Sequence, residues 1–190
     1  MQLYRLEDIE NDPSYCYVDS ALPCNAELVE GLPAKPSLER LGIDTLALTM
    51  DEDEGGLKLA DYISNTDLQL PLREACARAI IAEFNVGEHE LLAAKLVNEK
   101  GRVHAEDYVV LNPLGQIDCL DQAASDMDED EDDPSVQVMG RFTLSRDKVP
   151  AGRDLFRVKG LDAYIFSERL VKFIQLEGFS NFVFEPVQVG

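Results

Sequence analysis

The sequence predicts an α+β fold: mixed or antiparallel sheets, each packed by one main helix, behind an irregular N-terminal third. Three observations lead there. Apolar and polar residues alternate with period two at Phe156 and Val158, and again at Val136, Val138, Phe142 and Leu144, which is strand spacing. Helical spacing appears at Leu72, Ala75, Cys76, Ala79, Ile80 and Phe84, and at Leu170, Phe173 and Ile174. Turn formers crowd the start of the chain, where Asn11-Asp-Pro-Ser, Pro23, Gly31, Pro33 and Pro36 interrupt anything longer than Tyr15–Val18.

Further elements follow in order. Thr45–Met50 reads as a strand, and Asp51-Glu-Asp-Glu-Gly-Gly56 as an acidic loop closed by glycine. The helix from Leu72 stops at Asn85-Val-Gly87, Glu90–Val97 continues as a strand, and Asn98-Glu-Lys-Gly101 turns it toward Val103. Tyr108–Leu111 is an apolar strand ended by Asn112-Pro113. Asp126–Pro134 is the most acidic run, too dense in like charge to pack, and is expected to be a mobile surface loop. Ala163–Phe166 suits a strand covered on both faces. Ser167 is placed to cap the next helix, Glu168 to favour its dipole, and Gly178 to stop it in a left-handed turn. The chain returns with Phe182 and Phe184 on one face and closes at Pro186, which cannot donate to a ladder. The stretches from Leu68 to Leu96 and from Ala163 to Val187 follow one scheme, which a recurring packing unit explains without duplication.

At 190 residues the chain is expected to form one domain, with sub-lobes 1–125 and 136–190 joined by an acidic loop at 126–135. A chain of this size buries roughly 70% of its unfolded surface, so neither a disulfide nor a metal is needed for stability. No run approaches the eighteen apolar residues of a membrane span. The N-terminus lacks the basic and apolar regions of a signal peptide, so a cytoplasmic location is expected. Cys16, Cys24, Cys76 and Cys119 form no C-x-x-C pair, and His89 and His104 have no second ligand nearby. Structural thiols are expected, with no metal and no cofactor.

The net charge is −20, and it is unevenly spread. Residues 1–135 carry nine Lys+Arg against thirty-one Asp+Glu, net −22, whereas residues 136–190 carry eight against six, net +2. Such a field repels nucleic acid and anionic membrane and attracts basic proteins. An acidic surface that merely keeps the protein soluble is the plainer reading of the same numbers.

Catalytic motifs are missing. Asp126, Asp128 and Asp130 mimic a calcium loop, but Glu131 stands where the turn glycine belongs and Gln137 where the bidentate Glu belongs. No G-x-S-x-G, P-loop or dinucleotide fingerprint occurs. Asp118 and Asp121 fit turn capping better than a catalytic carboxylate pair. No enzyme is expected.

Several of these landmarks occur in a particular order: the strand ending Asp118-Cys-Leu-Asp121, then Leu155-Phe-Arg-Val-Lys-Gly160, Phe166-Ser-Glu-Arg-Leu170, Gly178, and Phe182-Val-Phe-Glu-Pro-Val187. Together they resemble the C-terminal part of immunity-protein family eleven, over roughly Leu91 to Val187. The resemblance implies a small cytoplasmic protein, encoded beside a toxin of a polymorphic or type VI secretion system, that protects its producer in bacterial competition. The expected partner is a cognate toxin or effector of basic character, bound without catalysis. An acidic adaptor or chaperone for a basic secreted protein is the alternative. The surplus charge nominates two partner-binding segments: Asp51, Glu52, Asp53 and Glu54, and Asp128, Glu129, Asp130, Glu131, Asp132 and Asp133.

Overall fold

The structure, a computed structural model, describes residues 2–7, 12–19, 22–51, 53, 55–67, 69–129, 137–139, 141–161 and 163–190, with 127–129 and 137–139 described by their backbone. In chain order the elements begin β1 (Leu3–Leu6), β2 (Tyr17–Val18), α1 (Asn25–Val29), α2 (Lys35–Leu41) and β3 (Leu46–Asp51). Next come β4 (Ser64–Asn65), β5 (Pro71–Arg73), α3 (Glu74–Glu83), β6 (His89–Val97) and β7 (Val103–Pro113). Then follow β8 (Gln116–Ile117), a 3-10 turn over Gln122–Ala124, β9 (Met127–Glu129), β10 (Gln137–Met139) and β11 (Thr143–Leu144). The chain ends with β12 (Leu155–Val158), β13 (Tyr164–Ser167), α4 (Glu168–Glu177) and β14 (Phe184–Val189).

Two mixed six-stranded sheets result, ordered β4-β2-β3-β6-β7-β5 and β11-β14-β1-β13-β12-β8, with β9 and β10 as a separate ribbon. The fold is α+β. The N-terminal third holds short elements between turns, and its first strand lies far from its sequence neighbours. β1 sits between β13 and β14, antiparallel to both, with Tyr4 opposite Phe166 on one side and Pro186 on the other.

The sheets share a topology. In one, β5 leads through α3 to β6, β7 lies antiparallel between them, and β3 runs parallel on the outside of β6. In the other, β13 leads through α4 to β14, β1 lies antiparallel between them, and β11 runs parallel on the outside of β14. The inserted strand follows its unit through a hairpin in the first case and arrives from the N-terminus in the second.

Of the two long helices, α4 carries both terminal caps, whereas α3 starts after Arg73 without a side-chain cap and runs out into extended backbone at Phe84. The Ser167 hydroxyl accepts from the Leu170 amide, and Gly178 takes φ 72 beyond α4. α3 begins at Glu74, with Leu72 already in β5. Cys76, Ala77 and Ile80 from α3 and Leu170, Val171 and Ile174 from α4 enter a common cluster with Leu6, Tyr62, Val109, Leu155, Tyr164 and Phe166. This middle core joins the two sheets. A second cluster packs α1 and α2 on the first sheet, and a third covers the other face of the second sheet around Leu3, Phe156 and Val158.

Three strand expectations change. Arg157, which alternates with Phe156 and Val158 as the polar face of a half-buried strand would, is only 2% exposed, and all four residues of β12 are buried. Alternation marks a strand but not what lies over its polar face, and here α1 and Tyr164 cover it. The alternating run from Val136 is divided between β10, which pairs with β9, and β11, which pairs with β14. Each half found a different partner. β14 also runs past Pro186 to Val189. The Glu7 amide bonds the Val183 carbonyl, and antiparallel alternation then turns residue 186 away from β1, where its missing N–H costs the sheet nothing.

Candidate partner-binding surface

Of the nominated acidic residues, Asp51 and Asp53 fall among those whose side chains are described. Asp51 ends β3 opposite Tyr17, and its carboxylate accepts the Asp53 amide at 2.9 Å. The loop after it is pinned. The Gly55 amide bonds the Asp51 carbonyl, Gly56 that of Tyr15 at 2.7 Å, and Lys58 that of Ser14 at 2.9 Å. Gly56 must be glycine on steric grounds, because a Cβ there would stand 2.0 Å from the Ser14 oxygen. Asp12 accepts the Ser14 amide and lies 3.7 Å from Lys58. The Ser14 backbone bond, helped by the Ser14 hydroxyl and Lys58, holds the Asp12 carboxyl below its ordinary range. Lys58 in turn sits 4.0 Å over the Tyr15 ring. The backbone is thus held at Asp51 and Asp53 and again at Gly55, Gly56 and Lys58. Glu52 and Glu54 lie outside the described residues.

The second acidic segment starts as a strand rather than a loop. Asp128 pairs with Val138 and Glu129 with Gln137 across the β9–β10 ribbon. The ribbon is rooted in ordered structure. The Asp126 amide bonds the Arg141 carbonyl, and the Ser125 hydroxyl donates to the Asp121 carbonyl while accepting the Thr143 amide. Asp130, Glu131, Asp132 and Asp133 lie outside the described residues. The first segment springs from the β2–β3 sheet and the second from beside β11, so they belong to different sheets.

Arginines that the nomination passed over also gather. Arg5, Arg141 and Arg146 line one cleft of about 630 Å³ with Gln2, Glu185 and Gln188. The sequence signal for it was the change of sign to net +2 after residue 135. Arg5 comes from the N-terminus, and only the placement of β1 beside β14 brings it there.

The remaining polar groups have structural occupations. All four cysteines are free and buried. Burial pushes the Cys16 thiol up to about 12, Cys24 and Cys119 up to about 11, and Cys76 higher still, so none is a ready nucleophile. Asp121 caps the 3-10 turn by accepting the Ala124 amide. Glu90, nearly buried, accepts the Ala34 and Lys35 amides at the start of α2 and the Asn112 side chain. His89 Nδ1 lies 2.8 Å from the Gly87 carbonyl. Among the described residues no His, Cys, Asp and Glu group suits a metal ion, and no helix is long and apolar enough to cross a membrane.

No curated protein matches the chain. The family model described as "Immunity protein family (Imm11)" matches residues 74–189. The match opens on the first residue of α3, runs to the last of β14, and takes in the acidic ribbon and both helices of the shared core. The loop at 51–54 and strand β1 precede it. Because this match spans more than half of the sequence and ends on element boundaries at both sides, the chain belongs to the immunity protein family (Imm11).

Proposed function

We propose that this chain is an immunity protein that binds a cognate antibacterial toxin and blocks it by occlusion, without catalysis. Family membership over residues 74–189 is the observation that carries the reading. The toxin belongs to a polymorphic toxin system or is a type VI secretion effector, and the protein meets it in the cytoplasm. A net charge of −20 makes a basic toxin surface the complementary one. Within this reading Asp51, Glu52, Asp53 and Glu54, and the run from Asp128 to Asp133, face that surface. The pinned backbone at Gly55 and Gly56 supports the assignment of the first segment, because residues already held lose little freedom on binding.

Occlusion demands occupancy at low toxin copy number, hence a dissociation constant of nanomolar or below, about −12 kcal/mol. Co-expression with the product of the neighbouring gene, followed by pull-down and a growth assay, tests the pairing. Titration against purified toxin tests the mode: inhibition must be stoichiometric, and protection by sub-stoichiometric protein refutes occlusion. Neutralising residues 128–133 to Asn and Gln is expected to slow association and flatten its salt dependence while leaving dissociation nearly unchanged. An unaltered association rate at low and high salt removes the run from the interface.

A further inference from the structure

We propose that the cleft walled by Arg5, Arg141 and Arg146 receives an acidic polypeptide segment of the bound partner, an inference that rests on the toxin-binding reading. The side chains lining it carry three guanidinium groups against one carboxylate, that of Glu185, in a chain whose net charge is −20. Arg5 is fixed by Glu7 and Glu185, each at 2.7 Å, and its guanidinium lies 5.6 Å from the centre of the Phe142 ring. Arg141 and Arg146 are exposed, and neither meets a carboxylate among the described residues. The hydrogen bond that the Arg146 side chain makes is a long one, 3.5 Å to the Val189 carbonyl. Among the described residues, then, two guanidinium forks have no carboxylate partner and stand beside a rigid third, with the side chains of Gln2 and Gln188 next to them. Guanidinium groups match the two oxygens of a carboxylate in one plane, which lysines do not.

The backbone decides how such a segment is held. The cleft follows the outer edge of β14 where β11 covers only Gln188 and Val189. An incoming strand would pair with residues 184 and 186 on that edge, and Pro186 offers no N–H. Strand addition there loses one donor, so recognition falls chiefly to the arginines and the two glutamine amides. A long polyanion is disfavoured by the field of the whole chain. A short acidic patch on an otherwise basic protein meets no such barrier, and it would fix the orientation in which the partner docks.

The test uses the full chain and a variant carrying Arg141→Gln and Arg146→Gln, both at exposed positions. The probes are a hexaglutamate peptide, a hexalysine peptide and a twelve-residue oligothymidylate, titrated at low salt while backbone amide shifts are recorded. Saturable hexaglutamate binding with shifts confined to residues 141–146 and 185–190, weakened about tenfold in the variant, supports the proposal. Equal binding by parent and variant, no saturable binding, or oligothymidylate binding as tight as hexaglutamate overturns it. The two readings fail separately. A variant that binds purified toxin with the parent's rates removes the cleft from the interface and leaves occlusion standing. A parent that binds hexaglutamate in the cleft but no toxin refutes the immunity reading alone.

Discussion

Arg157 in β12 donates through Nη1 to the carbonyl oxygen of Val29, the last residue of α1, at 2.7 Å and across 128 sequence positions. Its guanidinium lies 4.3 Å from the centre of the Tyr164 ring and also bonds the Tyr164 hydroxyl. Gln116 in β8 donates to the same Val29 carbonyl at 3.2 Å. A helix C-terminus is the negative end of its dipole, so it offsets part of the cost of burying this cation, whose Nε has no hydrogen-bond partner among the described residues. The contact ties the helix packed on the first sheet to the second sheet.

Arg157→Ala is expected to destabilise the protein by about 2–4 kcal/mol, through lost packing and a less satisfied carbonyl. Arg157→Lys recovers less than half of that, since an ammonium cannot stack on Tyr164 as the planar group does. Urea unfolding measures both. A parent-like midpoint for the alanine variant would show that the pin is dispensable.

Asp154 predicts a pH dependence. Burial alone would raise its pKa, but Arg169, the Ser167 hydroxyl and the Asn85 amide all bond the carboxylate and hold it below the ordinary 3.8. A pKa depressed in the folded state contributes stability that is complete above the unfolded value and disappears as pH falls through the folded one. Asp154→Asn is therefore expected to cost about 2 kcal/mol at neutral pH, with the gap to the parent closing only below pH 3.8. The difference between the two proteins is the quantity to follow, because acid also relieves the self-repulsion of a chain at net −20. A gap already closed at pH 5 contradicts the assignment.

Two phenylalanines separate packing from docking. Phe156 is 2% exposed in the third core cluster, and Phe156→Ala should cost about 3–5 kcal/mol. Phe182 is half-buried, 5.3 Å from the Tyr62 ring and 5.8 Å from that of Phe184, so Phe182→Ala should cost about 1–3 kcal/mol. Thermal melts and a protection assay check both. A Phe182→Ala protein that melts like the parent yet fails to protect identifies that ring as an interface anchor.

Gly56→Ala probes the acidic edge. Its new methyl would meet backbone at Ser14 rather than a flexible side-chain tip, so the loop must shift at a cost of about 1–3 kcal/mol. Hydrogen exchange should rise at the amides of Gly56 and Lys58, which now bond Tyr15 and Ser14. If protection there is unchanged, the loop is not held by this contact.

Much of the fold was legible in local chemistry. The spacing of Leu170 and Ile174, the cap at Ser167 and the stop at Gly178 define α4 without reference to anything distant. The apolar run Ala163–Phe166 announced a strand covered on both faces, and Tyr164, Ile165 and Phe166 are all buried. The order of those landmarks also pointed to the family. Charge composition showed where the surplus lies, but not that Asp128 and Glu129 enter a strand, because a two-stranded ribbon depends on a partner that periodicity does not name.

Tertiary structure decided what pairs with what. Leu3–Leu6 has no strong pattern, since only its ends are buried, yet it completes the second sheet with strands more than 150 positions away. That single placement makes the two sheets alike in topology and carries Arg5 to the cleft beside Glu185. Arg157 looked like the polar face of a half-buried strand because alternation records only the neighbours along a strand. Whether its other face meets water or the end of α1 is set by how the sheets and helices stack. Sequence fixes a backbone's local preference through short-range sterics and hydrogen bonding, whereas burial of a given side chain is a property of the assembled layers.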